Sequence, residues 1–221
     1  MTTFSFLFQR TLVAGLMLGI FFQGIPFQSL HADTLVGTFS FEEKAPPGAL
    51  IYVVGDHSLK QNAVIDQKDT EFTSFAVVGP KDSTATFRNS DSINHNIYAS
   101  DKETQVAFDI GLAPPGSESK QMISWEEEQM VRISCKIHPK MKAWVVSLSS
   151  KYYQILNFDK KQEKADFSIS DVPSSLTQVK IWMPGYAPLE LIIKKGEIQK
   201  RDLTKENNSD KVRGSLELKR S

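Results

Sequence analysis

The one cysteine of this chain stands in Cys135-x-x-His138-x-x-Met141, a spacing that can turn a soft sulfur, an imidazole and a thioether toward one point. Those are ligands that suit copper, and a trigonal copper site asks for one further imidazole. His95, well upstream, supplies it. Two His, one Cys and a weak axial Met make a blue-copper set for one copper per chain. Zinc competes, because His and Cys also build tetrahedral zinc sites, but the thioether favours copper. Taken singly, a Cys is usually a small buried hydrophobe, a Met a core filler and a His a structural or surface residue. Their combination and order point to a metal.

The elements around these residues must aim them. Val131 and Ile133 precede the cysteine and Trp144, Val145 and Val146 follow the methionine. Such β-branched and aromatic flanks predict two strands joined by a tight loop. His95 opens another strand-like run, so a neighbouring strand can deliver it to the loop.

From about Glu71 to Leu148 the chain resembles the cupredoxin family, in its plastocyanin and amicyanin-like branch with the short Cys-x-x-His-Pro-x-Met loop. The matching features are Phe87-x-Asn89-x-Asp91, His95-Asn96, Phe108-Asp-x-Gly111, Pro115-Gly116, and Cys135 to Met141. The resemblance implies a Greek-key β-sandwich, with His95, Cys135 and His138 as equatorial ligands and Met141 as the axial one. It also implies that Asn96 hydrogen-bonds near the thiolate. Lys136, Lys140 and Lys142 depart from the family pattern, making the loop basic where electron-transfer members usually show an apolar rim.

The rest of the chain reads as all-β. Short strand patterns recur over Leu35 to Phe41, Ala49 to Val54, Ala63 to Ile65, Phe72 to Val78, Ala85 to Phe87, Ile97 to Ala99, Val106 to Phe108, Gln121 to Trp125, Val131 to Cys135 and Ala143 to Leu148. Turn signals separate them, as in a sandwich. After Leu148 the patterns continue at Tyr152 to Phe158, Asp166 to Ile169, Val179 to Trp182 and Leu189 to Ile193. With turns at Asp171-Val-Pro173 and Met183-Pro-Gly-Tyr186, this segment resembles the end of a transthyretin-like or carboxypeptidase-regulatory sandwich. It lacks the usual glycine before Phe167 and the Pro-Gly after Val172. The division expected is therefore a signal peptide over 1–32, a cupredoxin-like domain over 33–150, a small β domain over 151–206 and a mobile tail over 207–221. About four strands make a marginal sandwich. Residues 34–56 are available to complete it, which would insert the cupredoxin into a discontinuous second domain. Glu126 to Glu128 reads as a solvated edge and His57 as a surface loop residue.

Residues 1–32 carry Arg10 as their only charge, with an apolar run from Thr11 to Phe22 and a small residue at Ala32. That is the pattern of a secretory signal peptide, too short and wrongly flanked for a stable membrane span, with an uncleaved anchor as the alternative. The mature protein is then expected in the periplasm or otherwise exported. The 221 residues hold 26 basic and 26 acidic side chains, and losing Arg10 leaves 25 against 26. A balance so close to neutral offers nothing to recruit nucleic acid or an anionic membrane. A lone cysteine forms no internal disulfide, and in an oxidising compartment metal ligation accounts for an unpaired thiol.

No Ser-His-Asp arrangement, phosphate-binding glycine loop or paired-carboxylate motif accompanies the ligand set. The expected function is one-electron carriage by an exported copper protein, without enzymatic activity. The competing expectation is a copper-handling protein that stores or delivers the ion. Lys136, Lys140 and Lys142 offer a docking surface to an acidic redox partner in either case.

Overall fold

Alternation of apolar and polar residues dominates the chain, and the structure, a computed structural model that describes residues 32–221, is built from strands throughout. The expected signal segment lies outside the described residues except for Ala32, which opens the first strand. The early strands are β1 (Ala32–Phe41), β2 (Gly48–Val53), β3 (Ala63–Lys68), β4 (Glu71–Phe72), β5 (Ala76–Gly79) and β6 (Thr84–Asn89). Next come β7 (His95–Ser100), β8 (Ala107–Ala113), β9 (Glu118–Met122), β10 (Met130–Ser134) and β11 (Lys142–Ser147). The last are β12 (Tyr153–Asn157), β13 (Lys164–Pro173), β14 (Gln178–Trp182), β15 (Leu189–Ile192), β16 (Ile198–Lys205) and β17 (Asn208–Arg220). Among the described residues no helix is long and apolar enough to cross a membrane.

Four sheets result. Sheet I has the order β13-β1-β17-β16 and sheet II the order β12-β2-β14-β15; sheet III runs β4-β3-β6-β9 and sheet IV β5-β11-β10-β7-β8. Sheets I and II face each other across a core that includes Phe39, Phe167 and Leu218 from one side and Ile51, Val179 and Ile181 from the other. Sheets III and IV enclose a second core around Ile65, Phe87, Ile97, Ile133 and Val145. Burying each such side chain contributes roughly 1.5–3 kcal/mol.

A third cluster joins the two sandwiches. Leu50 and Tyr52 of β2 meet Ala76, Val78 and Val146 of sheet IV, with Phe75, Trp144 and Trp182 packed around them. Trp144 and Trp182 stand edge to face, with ring centres 5.4 Å apart. All six residues of β2 are consequently buried, because both of its faces carry neighbours. The layers thus run I, II, IV, III.

Several expectations need correction. Residues 33–150 are not one structural unit, and the alternative in which residues 34–56 complete the later sandwich is the arrangement present: β1 pairs with β13 and β17, and β2 with β12 and β14. The segment 207–221 is no tail. It holds β17, in which Gly214, Leu216, Leu218 and Arg220 point inward and alternate with exposed Ser215, Glu217 and Lys219. The charges that suggested a solvated tail are the outer face of a strand, and Arg220 counts among the buried residues. The run Phe72 to Val78 splits between β4 and β5, which belong to different sheets. The strand expected over Gln121 to Trp125 ends at Met122, and Ile123 and Trp125 enter the core from the connection that follows. The acidic run is a solvated edge only in part: Glu126 is exposed and pairs with Lys81 at 2.6 Å, whereas half-buried Glu128 pairs with Lys180 of β14 at 2.7 Å. Glu127 accepts hydrogen bonds from the amide and hydroxyl of Ser149. His57 is exposed, as expected.

Candidate metal centre

Antiparallel pairing explains how residues so distant in the chain meet. β7 runs antiparallel to β10, with Ser134 opposite Tyr98, so the start of β7 extends past the end of β10 alongside the loop that follows it. Those ends carry His95 and, one residue past Ser134, Cys135. β10 and β11 form a hairpin with Ser134 opposite Lys142. The residues between them close into a tight loop through the Met141 amide, which donates to the His138 carbonyl at 2.9 Å, and the Cys135 amide, which donates to the Met141 carbonyl at 3.4 Å.

Inside that loop the donors converge. Cys135 Sγ lies 3.9 Å from His95 Nδ1 and 3.8 Å from His138 Nδ1, and the two nitrogens are 3.1 Å apart. A triangle with these sides has a circumscribed circle of radius about 2.1 Å, close to metal–nitrogen bonds of about 2.0–2.1 Å and metal–sulfur bonds of about 2.3 Å. One ion can therefore reach all three atoms without rearrangement. Exposure is 0% for His95, 1% for Cys135 and 2% for Met141, whereas His138 is half-buried. A cysteine sulfur and two imidazoles at these distances fit copper, and the buried Met141 thioether in the same loop is of the soft kind that copper takes.

Surrounding groups hold the donors in place. His95 Nε2 lies 3.0 Å from Asp91 Oδ2, so a proton on Nε2 donates to the carboxylate and leaves Nδ1 free to ligate. Asp91 is anchored in turn. Asp69 and Thr70, with φ of 53° and 59°, form the two-residue turn between β3 and β4, and the Thr70 amide donates to Asp91 Oδ2 at 2.8 Å. That amide and the His95 contact hold the Asp91 carboxyl down at about 2. Asn89, itself buried, donates to the carbonyls of Ile93 and Ala113 at 2.9 and 2.8 Å and so braces the loop that leads into His95.

Asn96 meets the thiolate in a way the resemblance did not specify. Its backbone amide, not its side chain, donates to Cys135 Sγ at 3.4 Å. The Asn96 side chain donates instead to Asp109 Oδ1 and the Gly111 carbonyl, at 2.7 and 2.8 Å, and accepts from the Lys136 amide. Gly111, at φ 81°, lets its amide turn back onto Asp109 at 2.9 Å. Asp109 also pairs with the Lys136 ammonium, which is the chief reason its carboxyl sits at about 2.

No known protein-family model matches the chain, and no curated protein is similar to it. Solved structures give partial likenesses. A purple cupredoxin from Nitrosopumilus maritimus is 21% identical, with 40% of this chain and 99% of that one aligned at a TM-score of 0.32. Amicyanin from Paracoccus versutus is 16% identical over 44% of this chain and 96% of its own, at a TM-score of 0.34. A copper-containing nitrite reductase from Thermus scotoductus aligns over 42% of this chain but 24% of its own length, with 19% identity and a TM-score of 0.35. At such scores the metal centre stands on its own donor geometry.

Two residues escaped the sequence reading as contributors, Asp91 and Asp109. Both lie in motifs that were noticed, Asn89-x-Asp91 and Asp109-x-Gly111, and carboxylates at turn positions are the signal that could have singled them out. The three lysines do not form one surface. Lys136 is held by Asp109 and lies over the Tyr98 ring, while Lys140 and Lys142 line a cleft on the Met141 side. Nor is the site without an apolar rim, since Ile93, Leu112 and Ile137 are exposed on the segments that carry His95, face Asn96 and precede His138. The rim comes from three separate stretches, which no single window of sequence displays.

Proposed function

We propose that this chain is an exported type 1 copper protein of the cupredoxin kind, carrying single electrons between protein redox partners. The observation that supports it most is the triangle of Cys135 Sγ, His95 Nδ1 and His138 Nδ1, whose centre lies at bonding distance from all three atoms. Met141, buried in the same loop, would add a thioether to the residues that hold the ion. Copper bound there supplies a one-electron couple whose potential depends on the axial ligand and on hydrogen bonding around the sulfur. The protein's part is to keep the ligands where they are. Asp91 fixes the ring orientation and tautomer of His95, and the Asn96 amide stabilises negative charge on Cys135 Sγ. Burial of His95 and Cys135 excludes water, and half-buried His138 is the electron exit.

Electron carriage is favoured over copper delivery because His95, Cys135 and Met141 are buried and the loop and His95 are braced by separate strands, an arrangement that resists ligand exchange. No substrate chemistry is assigned. Copper-loaded protein should show an intense visible band from thiolate-to-copper charge transfer, a reversible voltammetric wave, and retention of the ion against a competing acceptor. Cys135→Ser should abolish the band while unfolding as cooperatively as the parent. A colourless parent would sink the blue-site reading, and rapid copper loss without a reversible wave would favour delivery.

A further inference from the structure

Beside the metal loop, where the two sandwiches meet, the surface folds into a cleft of about 670 Å³. Four lysines line it from three separate parts of the chain: Lys44 after β1, Lys140 and Lys142 at the end of the metal loop, and Lys160 after β12. All four are exposed. Among the described residues none of them is in an ion pair, whereas Lys81, Lys136, Lys180 and Lys200 are each held by a carboxylate. Glu71 and Asp159 also line the cleft, but Asp159 spends one oxygen capping the amide of Lys161 at 2.9 Å. Four cations thus face two anions. Between the charges lie Pro46, Pro47, Phe72, Phe75 and Phe158, with Met141 beside them.

We propose that this cleft docks an acidic, extended peptide segment of a protein partner, laid across the Met141 side of the metal loop. A small inorganic anion would call for donors that converge on one point and are preorganised there. Here the cations are long, exposed side chains spaced around an apolar floor, which is the anatomy of a protein interface with a polar rim. Carboxylates alternating with apolar side chains match both parts, and the unpaired lysines steer such a segment toward the cleft. The face differs from the His138 side, where Lys136 is already engaged with Asp109. It also exists only in the assembled molecule, because Lys44 and Lys160 come from one sandwich and Lys140 and Lys142 from the other.

The test is fluorescence anisotropy of the full chain with a labelled peptide alternating glutamate and leucine, at low and moderate salt. The parent should bind it, more weakly as salt rises, and Lys44→Glu/Lys160→Glu should weaken binding by about tenfold or more. Both substitutions are distant in sequence from the metal ligands, and circular dichroism checks that the variant is folded. Lys200→Gln, on sheet I, should bind like the parent. The proposal is overturned if the parent does not bind, if the double variant binds as tightly, or if inorganic phosphate at matched ionic strength displaces the peptide. No bound copper is needed for this readout, so its failure leaves the metal centre intact, and a colourless protein leaves the cleft intact.

Discussion

Replacing Arg220 by Met tests the least expected feature of the fold, the closure of the molecule by its last strand. Arg220 and Asp33 are each 1% exposed, and Arg220 Nε donates to Asp33 Oδ2 at 2.9 Å. The remaining guanidinium donors go to the carbonyls of Leu176, Ile193 and Pro173, so one side chain ties β17 to β1 and to the connections after β13 and β15. In Arg220→Met the Asp33 carboxylate stays buried with only the ammonium of Lys195, at 3.1 Å, as a charge partner, and three carbonyls lose a charged donor. Removing one partner of a buried pair costs about 3–5 kcal/mol, a large part of the roughly 5–15 kcal/mol that holds an ordinary domain folded. Taking about 4 kcal/mol and a urea slope of about 2–3 kcal/mol/M, the unfolding midpoint should fall by roughly 1.3–2 M with the slope unchanged. Tryptophan fluorescence of the full chain in urea measures this. Asp33→Asn in the same background should restore part of the loss, since it removes the stranded charge. A midpoint shift below about 0.3 M, with protease cleavage inside 208–220 of the native parent, would refute both the magnitude and the placement of β17.

Three further outcomes follow from the same contacts. Burial alone would raise the Asp33 carboxyl, but hydrogen bonds from Arg220, Lys195 and Ser174 bring it below its ordinary value of 3.8. A depressed folded value means that stability is present above the unfolded carboxyl value of about 3.9 and is lost as pH falls through the folded one, so urea midpoints should drop below about pH 4 and Asp33→Asn should flatten that drop. Asp91→Asn should weaken copper affinity about 10–100-fold in a chelator competition while leaving thermal unfolding of the metal-free protein nearly unchanged; equal affinity would show that Asp91 does not orient His95. A fragment of residues 151–221 lacks β1 and β2, the partners of β13, β17, β12 and β14, and should show no cooperative thermal transition. Cooperative melting of that fragment would mean the early strands are dispensable.

The donor set was legible because its residues are chemically rare and their order is local. Cys135, His138 and Met141 lie on one loop, and that loop is forced by the two apolar strands around it. His95 was readable as the start of a strand. What held His95 was not, because Asp91 reaches it only through a turn anchored by Thr70, which belongs to a different strand pair. That the three lysines have different surroundings was hidden for a related reason. Lys136, Lys140 and Lys142 are neighbours in sequence, but Asp109 arrives from β8 to engage the first, and the second sandwich builds a cleft around the other two.

By itself, then, the sequence determined that the protein is all-β and which atoms could meet a metal, since alternation with period two is a property of each strand and ligand chemistry a property of each side chain. Which strand lies beside which was decided only in three dimensions. Alternation marks the inward face of β1, β2 and β17 without saying what covers it, and it carries no information about a partner far along the chain. Burial on both faces of β2, the ion pair that joins Asp33 to a residue 187 positions later, and the lysine-lined cleft all arise from that pairing. Their energetics depend on water being excluded by elements that sequence proximity does not bring together.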